Sequence, residues 1–385
     1  MDEVIQDPHL WAGILLMMPV LLYAVMIVWV RRGWRNTAPL EVEGVPPAEK
    51  ITLIVPCHNE AKHLPAFLES LGRQTWPADR MEVILVDDHS TDTTGEILAQ
   101  YAAAHSHVRV LRSGRRGKKE ALETALAVAT TAFILATDAD ALLPPRWVET
   151  MMALRVWEGA AFVAGPVLPE TGRSFSARFG YLESAALLGV ATGSAARGHA
   201  LFCSAASMGF EKRLVDLEED VFRKEIPSGD DVFLLHAVKR HRPEDIRYLR
   251  SHNATVTVRE EEGMGHLFRQ RRRWAGKTYF YRDRDTLIVA ALVLAANTAL
   301  LAVLPLAFLT PWGVPMVVGL WGLKSFPDLL LLYDVLNFYE QRKLLRWFPV
   351  MQLLYPFYLL LTGTMTTFSL WRKERTWDGS SERNP

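Results

Sequence analysis

Two aspartates one residue apart close a short apolar run in AFILATDADALLPP, residues 132–145. Alternate residues on an extended turn can aim both carboxylates at one hard cation that also carries phosphate oxygens, so Asp138 and Asp140 are candidate ligands for Mg2+ or Mn2+. Other acidic loops accompany them. Pro56-Cys57-His58-Asn59-Glu60 precedes a helical pattern, whose free N–H groups favour acceptors and anions. In Asp87-Asp88-His89-Ser90-Thr91-Asp92, either Asp92, the favoured residue, or Thr93 can cap the following helix together with Glu96, while Asp87 and Asp88 lie before the cap, where a carboxylate can accept from a base or ribose. Ser228-Gly229-Asp230-Asp231 opens an apolar helix from Val232 to Val238; one aspartate of the pair serves as a cap and the other stays free for chemistry. The basic run from Arg112 to Lys119 reads as a solvated loop on composition alone. Beside the acidic loops, Lys118 after Gly117 is instead the cation best placed for a diphosphate.

These loops need a scaffold that delivers them to one edge. Ile51 to Val55, Glu82 to Val86, Val108 to Leu111 and Ala132 to Ala136 read as strands, with amphipathic helices over 60–74, 93–104, 118–130 and 145–157 between and after them. Strand and helix alternate at the spacing of βαβ units, which predicts an α/β fold with a mostly parallel sheet covered on both faces. Pro144-Pro145 stops the segment after the two aspartates. Ligands in such sheets bind at the carboxyl ends of the strands, where every one of the first three loops falls. No glycine pattern matches a dinucleotide fingerprint or a P-loop, which disfavours a nicotinamide enzyme and a kinase-like site.

The chain has 385 residues, half of them hydrophobic (50%), and 43 basic residues balance 43 acidic ones, so no global field marks a nucleic-acid partner. Two cysteines, Cys57 and Cys203, form neither a disulfide framework nor a metal cluster. Leu10 to Val30 carries no charge, is long enough to cross a bilayer, and ends in Arg31, Arg32 and Arg35. Acidic Asp2, Glu3 and Asp7 precede it, which predicts a retained anchor rather than a signal peptide, with the chain beyond Arg31 starting in the cytosol. Leu287 to Leu309 and Phe348 to Leu370 are long enough to span, whereas Val314 to Leu336 is interrupted by Lys324, Pro327 and Asp328. Lys324 and Asp328 are four apart and can pair on a helix. The sequence leaves open whether this middle segment crosses, and with it the side of the C-terminal tail. The organisation predicted is an anchor over 1–35, a linker over 36–50, a catalytic domain over 51–280, membrane or interfacial helices over 281–371 and a polar tail over 372–385.

Taken in order, VPCHNE, VDDHSTDTT, GKKEAL, DAD, SGDD and QRRRW resemble the motifs of membrane-bound family 2 glycosyltransferases with a GT-A fold, a group that includes cellulose, hyaluronan and poly-N-acetylglucosamine synthases and ceramide glucosyltransferase. The resemblance spans roughly residues 50–280 and implies roles residue by residue. Pro56, Glu60 and Asp88 would border the nucleotide. Asp138 and Asp140 would hold the metal, and Asp231 would be the general base. Gln270, Arg273 and Trp274 would match Q-x-x-R-W, with Arg273 facing the diphosphate and Trp274 the acceptor. The chain departs from the family at Cys203-Ser204-Ala205-Ala206-Ser207-Met208, where relatives carry side-chain amides, which puts the acceptor in question.

The resemblance implies an inverting transferase in the plasma or inner membrane with a cytosolic catalytic domain. It would move a sugar from a nucleotide donor, a UDP-sugar by preference, to a membrane lipid or lipid-linked acceptor. A processive polysaccharide synthase is the alternative, supported by QRRRW. A silent scaffold that kept the fold, and a nucleotidyltransferase on a similar fold, are the rivals from other classes. The retained carboxylates disfavour the first, and the apolar C-terminal segments with QRRRW disfavour the second.

Overall fold

The computed structural model describes residues 8–223, 226, 229–259 and 263–371. Asp2, Glu3, Asp7, Ser228 and the predicted tail with Arg372, Lys373 and Arg375 lie outside the described residues. The chain divides into two units: a larger one of 33–171 and 187–260, and a smaller one of 1–32, 172–186 and 261–385.

The larger unit is built on β1 (Ile51–Cys57), β2 (Met81–Asp87), β3 (Val108–Arg112), β4 (Phe133–Ala136), β5 (Ala141–Leu142), β6 (Phe162–Ala164), β7 (Val167–Pro169), β8 (Met208–Glu211), β9 (Ile246–Tyr248) and β10 (Val256–Val258). Seven strands form one sheet in the order β3-β2-β1-β4-β8-β6-β9, and β5-β10-β7 form a small second sheet. Among the described residues of the large sheet, only β8 runs against its neighbours. The helices are α1 (Pro8–Asn36), α2 (Leu64–Gly72), α3 (Thr94–Ala104), α4 (Lys118–Val128), α5 (Trp147–Glu158), α6 (Phe175–Ala195) and α7 (Asp230–His241), of which α1 and α6 begin in the smaller unit.

Apolar residues run almost unbroken along the central strands because both faces of the sheet are covered. Leu53, Val55, Val83, Leu85, Phe133 and Leu135 join Phe67 and Leu68 of α2, Leu98 of α3 and Trp147 and Met151 of α5 in one core. The alternate residues Ile54, Ile84, Val86, Ile134 and Ala136 join Leu122 and Leu126 of α4 and Leu234, Leu235 and Val238 of α7 in the other. The period of two in a strand sends neighbours to opposite layers.

Four predicted helices are present with shifted ends, and one shift matters. The helix predicted over 60–74 begins at Leu64, with Pro65 in its first turn, where a missing N–H costs nothing. The amides of Glu60 and Ala61 are bound instead by Thr94 Oγ1 (2.8 Å) and Asp92 Oδ2 (3.2 Å). The first loop is therefore a braced turn, not a helix N-terminus open to anions. The segment 36–50, predicted as a linker, is packed: Glu41 accepts from the amides of His252 (2.6 Å) and Asn253 (3.0 Å), and the Val45 amide donates to Glu149 (2.7 Å).

Antiparallel β8 lies between β4 and β6, and Gly209 leaves room there for side chains of β4. A Cβ on Gly209 would lie 2.7 Å from Leu135 Cδ2 and 2.9 Å from Phe133 Cε1, both on buried side chains of β4. Gly209→Ala is expected to overpack this core and cost about 1–3 kcal/mol. Thermal unfolding of the purified variant should show a clear drop in Tm; an unchanged Tm would mean that β4 moves aside freely.

The smaller unit is helical. Besides α1 and the start of α6, it holds α8 (Met264–Thr278), α9 (Arg284–Ala302), α10 (Leu306–Leu309), α11 (Gly313–Phe338) and α12 (Phe348–Trp371). Among the described residues, four segments are long and apolar enough to cross a membrane: Trp11–Asn36, Arg284–Leu309, Gly313–Phe338 and Arg342–Thr366. Large apolar side chains such as Leu15, Met18, Ile288, Val318 and Leu353 face outward, an arrangement suited to lipid rather than water. The interrupted segment forms one continuous helix, α11. Lys324 pairs with Asp328 at 2.9 Å, as the four-residue spacing predicts, and also donates to Gln352 (2.8 Å), while Tyr23 donates to Asp328 (2.8 Å). This shared network reduces the cost of charge inside an apolar unit.

Candidate active site

The chain lays down β1, β2 and β3 outward in one direction and then returns to place β4 on the other side of β1. The crevice at the carboxyl ends of β1 and β4 is thus a topological switch point, where α/β sheets bind ligands. Pro56 and Cys57 end β1, Asp87 ends β2, and Asp138 and Asp140 follow β4.

Like charges crowd this edge. Burial first, then the Asp138 and Glu60 carboxylates, raise Asp140 from its ordinary 3.8 to about 6, against the pull of Lys118. Lys118, at the start of α4, answers part of the crowding: its Nζ lies 2.5 Å from Asp138 Oδ1 and 3.9 Å from Asp230 Oδ2. Burial alone would lower its pKa, but Asp138 and Asp230 outweigh that and hold the ammonium firmly charged. Among the described residues no group of three His, Cys, Asp or Glu side chains converges as a complete ligand set. Two carboxylates repelling each other nevertheless suit a hard divalent ion that takes its other oxygens from water and a diphosphate.

The neighbouring loops hold this edge in shape. Asp88 is buried, and both its oxygens accept the Gly117 amide (2.8 and 2.9 Å), with Ser113 Oγ donating to one (2.9 Å). Gly117 has φ +134°, open to glycine, and leads directly into Lys118. Asp88 thus braces the loop that presents Lys118. Asp87 accepts the Ser90 amide (3.0 Å), and Glu60 faces His63 Nδ1 (3.0 Å). Asp92 accepts the amide of Thr94, the first residue of α3, at 3.0 Å, but it stands one residue before the N-cap, which is Thr93. Burial would raise Asp92, but its hydrogen bonds from Thr94 prevail and lower it.

Neither aspartate of the Asp230-Asp231 pair is the residue preceding its helix; Gly229 occupies that position. Asp230 faces Lys118, whereas Asp231 accepts the Ala205 amide (3.2 Å) and its own neighbour's amide at Val232 (2.8 Å). The segment Cys203–Met208, which lacks the side-chain amides of the resembling family, therefore serves Asp231 through its backbone. It is tied to the loop of Asp138 and Asp140 as well, since Thr137 donates to the Ala206 carbonyl (2.7 Å). The contributions of Ser113, Thr137 and the Ala205 amide have no signal in the sequence, because each works through a backbone group or a partner remote in the chain.

Gln270, Arg273 and Trp274 lie on α8, in the smaller unit. The buried member of that motif is Arg271: it donates to Glu183 Oε2 (2.7 Å) and to Gln270 Oε1, and stacks 4.1 Å from the Trp274 ring. Arg273 is exposed. Arg271 therefore fastens α8 to α6, a role that QRRRW conceals by placing three arginines in a row.

A mostly parallel sheet of this order with an acidic switch-point loop is the GT-A class of α/β fold. Residues 52–216 match the family model Glycosyl transferase family 2. The chain is 35% identical over 105 residues to the uncharacterised glycosyltransferase YibD of Escherichia coli, covering 27% of this chain and 30% of that protein. It is 32% identical over 117 residues to the undecaprenyl-phosphate 4-deoxy-4-formamido-L-arabinose transferase of Klebsiella pneumoniae, covering 28% and 34% respectively. The chain thus spans about a third of the length of these relatives. Among solved structures, the mannosyltransferase PcManGT of Pyrobaculum calidifontis, in complex with GDP-Man and Mn2+, shares the fold at TM-score 0.58 and 20% identity, over 94% of this chain and 99% of that one.

Proposed function

We propose that the protein is a membrane-associated inverting glycosyltransferase that moves a sugar from a nucleotide donor, with UDP-sugars the preferred class, to a lipid or lipid-linked acceptor. The observation that carries the reading is the convergence of Asp138, Asp140, Lys118 and the Asp230-Asp231 pair at the switch-point edge. Asp138 and Asp140 would hold Mg2+ or Mn2+, which when bound supplies Lewis-acid neutralisation of a diphosphate. Lys118 adds a fixed positive charge where the leaving group's negative charge develops. Asp231, held by the Ala205 amide, takes the proton from the acceptor hydroxyl as that oxygen attacks the anomeric carbon. One displacement inverts the centre. Glu60 and Asp88 shape the nucleotide side of the same edge, and Arg273 and Trp274 are assigned to the diphosphate and acceptor by the resemblance.

A lipid acceptor is supported by the apolar helices of the smaller unit and by the relative whose name includes undecaprenyl phosphate. A cytosolic site is supported by the arginines at the end of the first apolar segment. The test is a panel of radiolabelled UDP-, GDP- and dTDP-sugars offered, with Mn2+ or Mg2+, to the full chain in nanodiscs containing polyprenyl phosphates. One donor is expected to label a single species in the organic phase. A ladder on a gel would assign the protein to processive synthesis, and no transfer or hydrolysis with any donor would overturn the reading.

A further inference from the structure

Lys119 is next to Lys118 in the chain, yet the two ammonium groups do different work. Lys118 reaches the carboxylates of the switch-point edge. Lys119 is buried, and its Nζ donates to three backbone carbonyls, those of Phe222 (2.5 Å), Arg223 (2.8 Å) and Ile226 (2.7 Å). An ammonium has three N–H donors, so these three acceptors can satisfy it completely. The same Nζ lies 5.0 Å from the ring centroid of Phe233 on α7, a cation–π distance.

The three carbonyls belong to residues that precede α7 in the chain. The Arg223 amide donates to the Asp220 carbonyl (3.1 Å) and the Ile226 amide to the Arg223 carbonyl (3.0 Å), with Arg223 at φ +53°. Gly229, Asp230 and Asp231 come within a few residues of Ile226. We infer that Lys119 is a positioning residue for transfer: by gathering the Phe222, Arg223 and Ile226 carbonyls against α4, it sets where Asp230 and Asp231 stand relative to Lys118. The inference rests on the proposed transferase reading. Its physical basis is that buried carbonyls stripped of their donor must find water or another partner. Asp230 and Asp231 begin the helix that follows Ile226 in the chain and are expected to shift when these carbonyls re-partner, while Asp138 and Asp140, which follow β4, are not.

The test compares wild type with Lys119→Met, Lys119→Gln and Lys119→Arg as full chains in nanodiscs, each normalised to the fraction that binds UDP with Mn2+. The methionine and glutamine variants are expected to bind UDP within about threefold of wild type but to lose on the order of 10²-fold in kcat, the scale of a small misplacement of reacting groups. Lys119→Arg, which can still donate to several carbonyls, should recover at least tenfold of that loss. Independently of turnover, amide exchange should speed up at Val232 and Phe233 in the methionine variant and stay unchanged in β1. Wild-type kcat in the methionine variant, equal loss of UDP binding and turnover, or failure of all three variants to fold would overturn the inference. A wild-type protein inactive with every donor would instead bring down the transferase reading, and the exchange measurement would still decide the placement of the segment.

Discussion

Asp140→Asn is expected to abolish transfer and, in the same protein, to stabilise the metal-free fold. The two effects share one cause. Asp140 is raised from 3.8 to about 6 by burial and by Asp138 and Glu60, so the folded state binds its proton more tightly than the unfolded state does. Ionising such a group costs folding free energy. That cost is absent below about pH 4, grows as pH rises between the unfolded and folded values, and is complete above pH 6. For a displacement of this size it is on the order of 1–3 kcal/mol. Asparagine keeps the shape and removes the charge. In excess chelator at pH 7.5 the variant should therefore melt several degrees above wild type, and at pH 4 the gap should close. Saturating Mn2+ should reverse the order, because an ion that binds only the folded wild type adds stability by mass action. Transfer should fall by about 10³-fold or more, the scale for losing charge stabilisation at a leaving group. Full wild-type activity in excess chelator, or a variant less stable than wild type without metal at pH 7.5, would remove Asp138 and Asp140 from the role given to them.

Asp231→Asn should separate chemistry from donor binding. Asp231 is held by the Ala205 amide, while the edge that would bind the diphosphate is held by Lys118, Asp138 and Asp140. Removing its charge takes away only the smallest of the carboxylate influences on Lys118 and leaves Asp138 and Asp230 beside it. A loss of about 10²- to 10⁴-fold in transfer rate is expected, the range for a general base, with the affinity for UDP and metal within a few-fold of wild type. Asp140→Asn should lose both in the same calorimetric titration and turnover assay. If Asp231→Asn binds UDP as weakly as Asp140→Asn, or turns over normally, the proton acceptor is a different group, and Asp230 is the first to test. The position of Asp230 argues against that outcome: it faces Lys118 at 3.9 Å, the cation proposed to meet the donor diphosphate.

Hydrophobic periodicity is enough to set the layered frame. Apolar strands at Ile51, Met81, Val108 and Phe133, with helices between them, obey the pattern that a doubly covered sheet demands, and the order of strand ends places Pro56, Asp87 and Asp138 on one edge. Spacing likewise sets the pairing of Lys324 with Asp328, since four residues make about one helical turn. The antiparallel β8, the second sheet and the packing of 36–50 were not legible in the sequence, because each depends on partners far along the chain and on a glycine whose value is the space it leaves beside Leu135. Packing in three dimensions divides the labour within adjacent pairs. Successive side chains on a helix diverge by about 100°, so Lys118 and Lys119, or Asp230 and Asp231, read alike in sequence but face different surroundings once α4 and α7 pack on the sheet. Lys118 meets Asp138 and Asp230, Lys119 meets three carbonyls, and Asp231 meets the Ala205 amide. Which of two identical charges does chemistry and which holds the frame is set by what packs against it, and that is a property of the fold.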